Sequence, residues 1–270
     1  MTPGGEKGPR ALSRTSLMHY YKLVFRSLLF LATLVLYVMD RVKGRERPLE
    51  FINNLPALLI LIWLAFVVEM LLRFSPATIE SMGCRKQFAK NYRPAEPPEG
   101  APPRPAVNRG VGLTLLSWLL LNGIIGGLYY AGVLDGGILL LISLAYSVCD
   151  MICILFFCPF QTWFMKNKCC TTCRIYNWDY AMMFTPMLFL GNLYGLSLLG
   201  VALALLIQWE VLALRHPERF SEQTNCALAC PNCQEKLCHH KKQLRGFWAK
   251  NRDILIVRGN ALLGGHRGKK

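Results

Sequence analysis

The stretch GILLLISLAYSVCDMICILFFCPF, residues 137–160, decides the fold. Its only charged side chain is Asp150. Apolar residues run through it almost without a break, with neither the stripe of a surface helix nor the alternation of a half-buried strand. It also exceeds the ~20 residues an α-helix needs to cross a bilayer core. Blocks at 23–39, 55–73 and 111–131 read the same way, and a fifth covers 181–214. The chain of 270 residues is 53% hydrophobic and 17% charged, against the ~25% charged residues of ordinary soluble domains. The reading is an all-α, polytopic helical membrane protein with a cytosolic Cys-rich metal-binding module.

The fifth block sets the number of crossings. As one helix its 34 residues would reach ~51 Å at 1.5 Å per residue, too long for a hydrocarbon core of ~30 Å. Gly191-Asn192-Leu193-Tyr194-Gly195 lies near its middle and suits a turn. Starting the block at Ile175 leaves room for two short crossings, with Tyr176, Trp178 and Tyr180 expected as an interfacial aromatic belt. A hairpin here gives six transmembrane helices; a single crossing gives five. Gly123-x-x-x-Gly127 in the third block predicts close packing on the fourth, since the connector Val133–Gly137 is short.

Charge predicts the orientation. The net charge is +15, and Lys and Arg near spans mark the cytosolic side. Residues 215–270 hold 12 Lys+Arg and 4 Asp+Glu, a net +8. The N-terminal stretch and the loop after the second block are basic too, and even numbers of crossings put all three on one side. Residues 41–54 oppose the rule, with Arg41, Lys43, Arg45 and Arg47 where the outside is expected. The organisation that follows is a basic cytosolic segment 1–22, a two-helix membrane hairpin 23–73, and a Pro-rich cytosolic linker 74–110. Membrane helices 111–214 with the Cys-rich loop 158–173 come next, and then a basic, Cys-rich cytosolic tail 215–270. The chain is expected to be multi-pass, with both termini cytosolic. The bilayer is its first partner, and the absence of a basic-aromatic module argues against nucleic acid.

Eight of the 11 cysteines fall in two clusters, Cys158, Cys169, Cys170 and Cys173, then Cys226, Cys230, Cys233 and Cys238. The hairpin puts both on the cytosolic side, where structural disulfides are rare. Cys-x-x-Cys spacing lets two thiolates face one metal at ~2.3 Å, and two such pairs complete a tetrahedral zinc site. Cys170, Cys173, Cys230 and Cys233 are the expected ligands of a structural zinc ion. Cys158, Cys169, Cys226 and Cys238, with His239 and His240, are alternative or additional ligands. This thiol density also suits an iron–sulfur cluster. The zinc reading calls for a cytosolic protein partner, the cluster reading for a cytosolic electron donor and a membrane acceptor.

No Walker loop, His-Glu-x-x-His or Gly-x-Ser-x-Gly motif occurs, so no catalytic constellation is assigned. The intramembrane polar candidate is Asp150, on a face with Ser143, Tyr146 and Cys153 that Asn122 is expected to meet across the hairpin. A carboxylate in a membrane helix marks a functional site by default. It would serve as a proton or ion relay, or as a transporter's coupling group. The structural alternative is a neutral, hydrogen-bonded Asp150 joining its helix to the preceding one. Arg26 is expected to snorkel to the interface and Asp179 to cap a helix.

Overall fold

A computed structural model describes residues 14–44, 56–75, 85–95, 109–166, 173–229 and 232. Among them are seven α-helices: α1 Arg14–Val42, α2 Pro56–Arg73, α3 Arg109–Tyr130, α4 Gly136–Leu155, α5 Asp179–Phe184, α6 Met187–Leu190 and α7 Leu193–Arg215. Four of them, α1, α3, α4 and α7, are long and apolar enough to cross a membrane. The helix α2 has the same apolar character over 18 residues, with Glu69 and Arg73 confined to its last two turns. Each apolar block of the sequence is therefore helical, as lipid demands of any segment that must satisfy its own backbone. The first helix starts earlier than the apolar pattern does, at Arg14.

Helices that pack together run in both relative directions. Ring contact of Tyr20 with Phe156, at 6.2 Å between centroids, and the Tyr37 hydroxyl's hydrogen bond to Asp135 make α1 antiparallel to α4. Trp63 donates to Ser197 at 2.8 Å, and Gln208 to the Phe74 carbonyl at 3.2 Å, so α2 and α7 run in parallel. The chain from Tyr176 to Leu190 runs back along α7. It begins with a short 3₁₀ turn and breaks at Pro186 between α5 and α6. At 1.5 Å per residue this returning arm is ~22 Å long, shorter than a full crossing.

The expected hairpin turn is present. Gly191 ends α6 with φ +63° and Asn192 caps α7, its side chain accepting from the Gly195 N–H at 2.7 Å. A left-handed residue there suits glycine because it carries no Cβ. Gly195 is needed for another reason: a Cβ on it would lie 2.8 Å from the Met187 Cβ.

The aromatic belt and the glycine motif are not as expected. Tyr176, Trp178 and Tyr180 are buried against other helices, not spread along a lipid interface. Gly123 and Gly127 have no neighbour within 4 Å of an added Cβ, while Gly126 faces the Phe189 ring. The helices α3 and α4 are joined by a short connector but are not a closely packed pair. Their separation leaves the cavity described below.

At the connector end, Asp135 does three jobs. Its Oδ1 accepts from the Ile138 N–H at 2.9 Å and so caps α4, while its Oδ2 accepts from Tyr37 and from the Arg41 guanidinium. One of the cations that opposed the charge rule is thus matched by a carboxylate on the same end of the bundle.

Gly195→Ala is expected to lower the melting temperature in detergent by forcing Met187 from α7. Gly200→Ala, where an added Cβ meets nothing, is expected to leave it unchanged or to raise it slightly. Paired thermal unfolding curves measure the difference.

Candidate functional site

Arg26 is 1% exposed. A buried guanidinium cannot shed its proton and must find acceptors. Nη2 donates to Glu69 Oε2 of α2 at 2.8 Å; Nη1 donates to Asp150 Oδ2 of α4 at 3.0 Å and to the Ser147 carbonyl at 3.2 Å. Tyr180 donates its hydroxyl to the same Glu69 oxygen at 2.7 Å, and Lys22 Nζ lies 3.5 Å from the other. Aromatic faces complete the lining, Phe66 at 5.5 Å and Tyr180 at 5.9 Å from the guanidinium carbon. Arg26 therefore does not snorkel. Asp150 lies about one and a half turns from the end of α4, and its contact with Arg26 ties α4 to α1 rather than to α3.

A second pair lies beside the first. Arg73 Nη1 meets Asp179 Oδ2 at 2.6 Å and Asn177 Oδ1 at 3.4 Å, with the Tyr180 ring 4.5 Å from its guanidinium carbon. Asp179 is thus the first residue of α5 and a counter-ion, not its cap. Three cations, Lys22, Arg26 and Arg73, face three carboxylates, Glu69, Asp150 and Asp179.

The ladder continues to the cysteine end of the bundle. Arg174 donates to both oxygens of Glu210, at 2.8 and 2.6 Å, and Trp178 Nε1 donates to Glu210 at 2.7 Å. Trp209 Nε1 donates to the Arg174 carbonyl at 2.8 Å, and the Trp209 ring meets Phe220 edge-on at 4.9 Å. The tail also pairs with the Pro-rich linker. Pro94 and Asn225 form an antiparallel bridge, and Asn225 Nδ2 donates to the carbonyls of Lys86 and Arg219 at 3.1 and 2.9 Å. Residues 85–95, 173–178 and 216–229 therefore pack together where α7 ends.

The cysteine clusters are described only in part. Cys173 is buried beside Ile175, Tyr176 and Trp209. Cys158 follows α4, and its sulfur accepts from the Gln161 N–H at 3.4 Å. Cys226 is half-buried, with its sulfur 3.8 Å from the Pro94 carbonyl. Cys169, Cys170, Cys230, Cys233, Cys238, His239 and His240 lie outside the described residues. Among the described residues, no three His, Cys, Asp or Glu side chains form a metal-binding group.

Between α3, α4 and α5 lies a cavity of about 240 Å³. Trp118, Leu121 and Asn122 of α3 form one wall, and Tyr146, Cys149, Asp150 and Cys153 of α4 the other. Cys158, Cys173 and Asp179 border its end nearest the tail. Of the face expected from helical spacing, Tyr146, Asp150 and Cys153 line the cavity and Ser143 does not, while Asn122 lies on the facing wall. The missed residues are Arg26, Glu69 and Arg73. The signal available for them was that a charge inside an apolar block needs a partner of opposite sign.

No family model, curated protein or solved structure matches this chain.

Replacing Arg26 by Met leaves Glu69 and Asp150 buried without their shared cation. The expected cost is about 3–5 kcal/mol of stability, read from chemical unfolding in detergent. Arg26→Lys is expected to fall between, because an ammonium lacks the planar fork that serves two carboxylates at once. Adding Glu69→Gln and Asp150→Asn to Arg26→Met is expected to recover part of the loss.

Proposed function

We propose that this multi-pass membrane protein carries a structural zinc site at its cysteine end, and that the site makes this end a platform for a cytosolic protein. The observation that carries the reading is the joint packing of residues 173–178 and 216–229 on Trp209. That packing brings the chain next to Cys170 and the chain leading to Cys230 and Cys233 onto one end of the bundle. Cys170, Cys173, Cys230 and Cys233 are the ligands of the proposal, and a four-thiolate zinc site is closed and structural. The loop and tail would then be crosslinked over a floor already fixed by Arg174 and Glu210. Orientation rests on charge: the +8 of residues 215–270 favours the cytosolic face. With the arm Tyr176–Leu190 as one limb and α2 as another, the bundle has six limbs, and both termini fall on that face.

A second reading is a redox protein with an iron–sulfur cluster on the same thiols. The cavity supports it, because Cys158 and Cys173, one from the alternative and one from the first ligand set, both border a space between α3 and α4. In a third, transport, Asp150 would act as the coupling group from its place on the cavity wall.

Purification under aerobic and anaerobic conditions with elemental analysis separates these readings. Stoichiometric zinc, lost in Cys173→Ser and in Cys230→Ser, is the expected result. Iron with acid-labile sulfide and a brown colour would replace the zinc reading by the cluster. Protein free of both metals would remove both. For transport, unchanged flux of reconstituted Asp150→Asn would remove Asp150 as a coupling group.

A further inference from the structure

The cavity between α3 and α4 is left unused by the zinc reading, and its walls restrict what fills it. Leu121 of α3 and Cys149 of α4 are exposed and line it, so it opens between two membrane-spanning helices. The lining is almost wholly apolar, with Leu121, Ile154, Met182 and Met183 beside the rings of Trp118 and Phe160. Asp150 and Asp179 border it, but their carboxylates are engaged by Arg26 and Arg73. Asn122 Oδ1, Tyr146 Oη and Trp118 Nε1 are buried and sealed from it. Water occupies a cavity that offers it several polar partners and stays out of an apolar one. A cavity of this lining, opening between helices in lipid, takes hydrocarbon.

Its size and direction suit an acyl chain. Along α4 the lining runs from Tyr146 to Ile154, ~12 Å at 1.5 Å per residue. One leaflet supplies ~15 Å of the ~30 Å hydrocarbon core. The volume is about 240 Å³, against ~150 Å³ for an engineered cavity that accepts benzene. The end nearest the tail is bordered by Cys158 and Gln161, just beyond the end of α4 at Leu155. Trp163 stands in the same turn as Gln161 and is 64% exposed. An exposed tryptophan at the end of a span marks the headgroup layer.

Positive charge is placed at that end. Arg109 opens α3 two residues before Val111, and Lys166 follows Met165. Val111 and Met165 both belong to the packed cluster of Cys173, Ile175 and Tyr176, which line the cavity. Arg109 and Lys166 are exposed, and neither meets a carboxylate among the described residues. Asp179 and Glu210 are taken by Arg73 and Arg174.

We propose that this cavity binds one anionic phospholipid. An acyl chain lies between α3 and α4, and Arg109 and Lys166 hold the phosphate. Arginine and lysine both suit that group, one as a planar fork and the other as a point charge. The site uses no metal, so the zinc reading and this one stand or fall separately.

Native mass spectrometry of the full-length protein released from nanodiscs tests this. The bilayer is an equal mixture of phosphatidylglycerol and phosphatidylcholine with the same chains. The expected result is one retained phospholipid per chain, with phosphatidylglycerol preferred by about fivefold for each of the two cations. Leu121→Trp and Cys149→Trp narrow the cavity from opposite walls, and each is expected to remove the retained lipid. Leu120→Trp is expected to keep it, because Leu120 is exposed and does not line the cavity. Arg109→Gln combined with Lys166→Gln, both on exposed positions, is expected to keep one lipid and lose the preference. A chain that retains no phospholipid overturns the proposal, as does retention unchanged in both narrowing variants. Equal retention of the two lipids by the unsubstituted protein also overturns it. So does a dimer of this chain that Leu121→Trp dissociates, because a second copy would then fill the cavity.

Discussion

A guanidinium held away from water needs carboxylates, and Arg26 takes one from each of two neighbouring helices. Helices in lipid gain little from apolar contact alone, since lipid tails are as apolar as leucine. A buried cation reached by Glu69 of α2 and Asp150 of α4 changes that. It allows one rotation and one height for each of three helices. Tyr180 extends the constraint to the returning arm through the same Glu69 oxygen, and Arg73 repeats it with Asp179. The arm is short and broken at Pro186, so these polar anchors matter more to it than length does.

The helices were legible because lipid imposes long apolar runs, a signal that survives without any knowledge of packing. The returning hairpin was legible from length and from Gly191-Asn192, where a left-handed glycine and an Asn cap are read locally. The charge pairs were not. Arg26 reaches 43 residues to Glu69 and 124 to Asp150, and Arg73 reaches 106 to Asp179. Which charges meet depends on helix rotation, and no local pattern encodes it. Read one at a time, each charge has a local explanation: a snorkelling Arg26, a capping Asp179, an Asp150 bonded to the preceding helix. The same limit applies to Gly123-x-x-x-Gly127, where small residues permit close approach without requiring it; the ring of Phe189 chose Gly126 instead.

At the cysteine end the ladder passes from charge pairs inside the bundle to a folded module outside it. Arg174 joins the two, through Glu210 on α7 and through its carbonyl to Trp209. Phe220 of the tail lies against both, its ring 5.6 Å from the Arg174 guanidinium carbon. The position of Cys173 next to Arg174 therefore follows from the same electrostatics that orders the helices. The loop, the tail and the Pro-rich linker are distant in sequence, and Asn225 draws linker and tail together by donating to Lys86 and Arg219.

None of the six charges of the central network sits on α3, whose one charged residue is Arg109. That helix meets the rest of the bundle through apolar and ring contacts, with the turn Phe160–Phe164 towards one end and Phe189 towards the other. It forms one wall of the cavity, held in its middle by Trp118 against the Trp178 ring, and takes no part in the contacts of Arg26 and its carboxylates. On this wall Leu121 is exposed and can change the cavity without touching the charge pairs, whereas Trp118 packs on Trp178 and on the core shared by α2, α5 and α7.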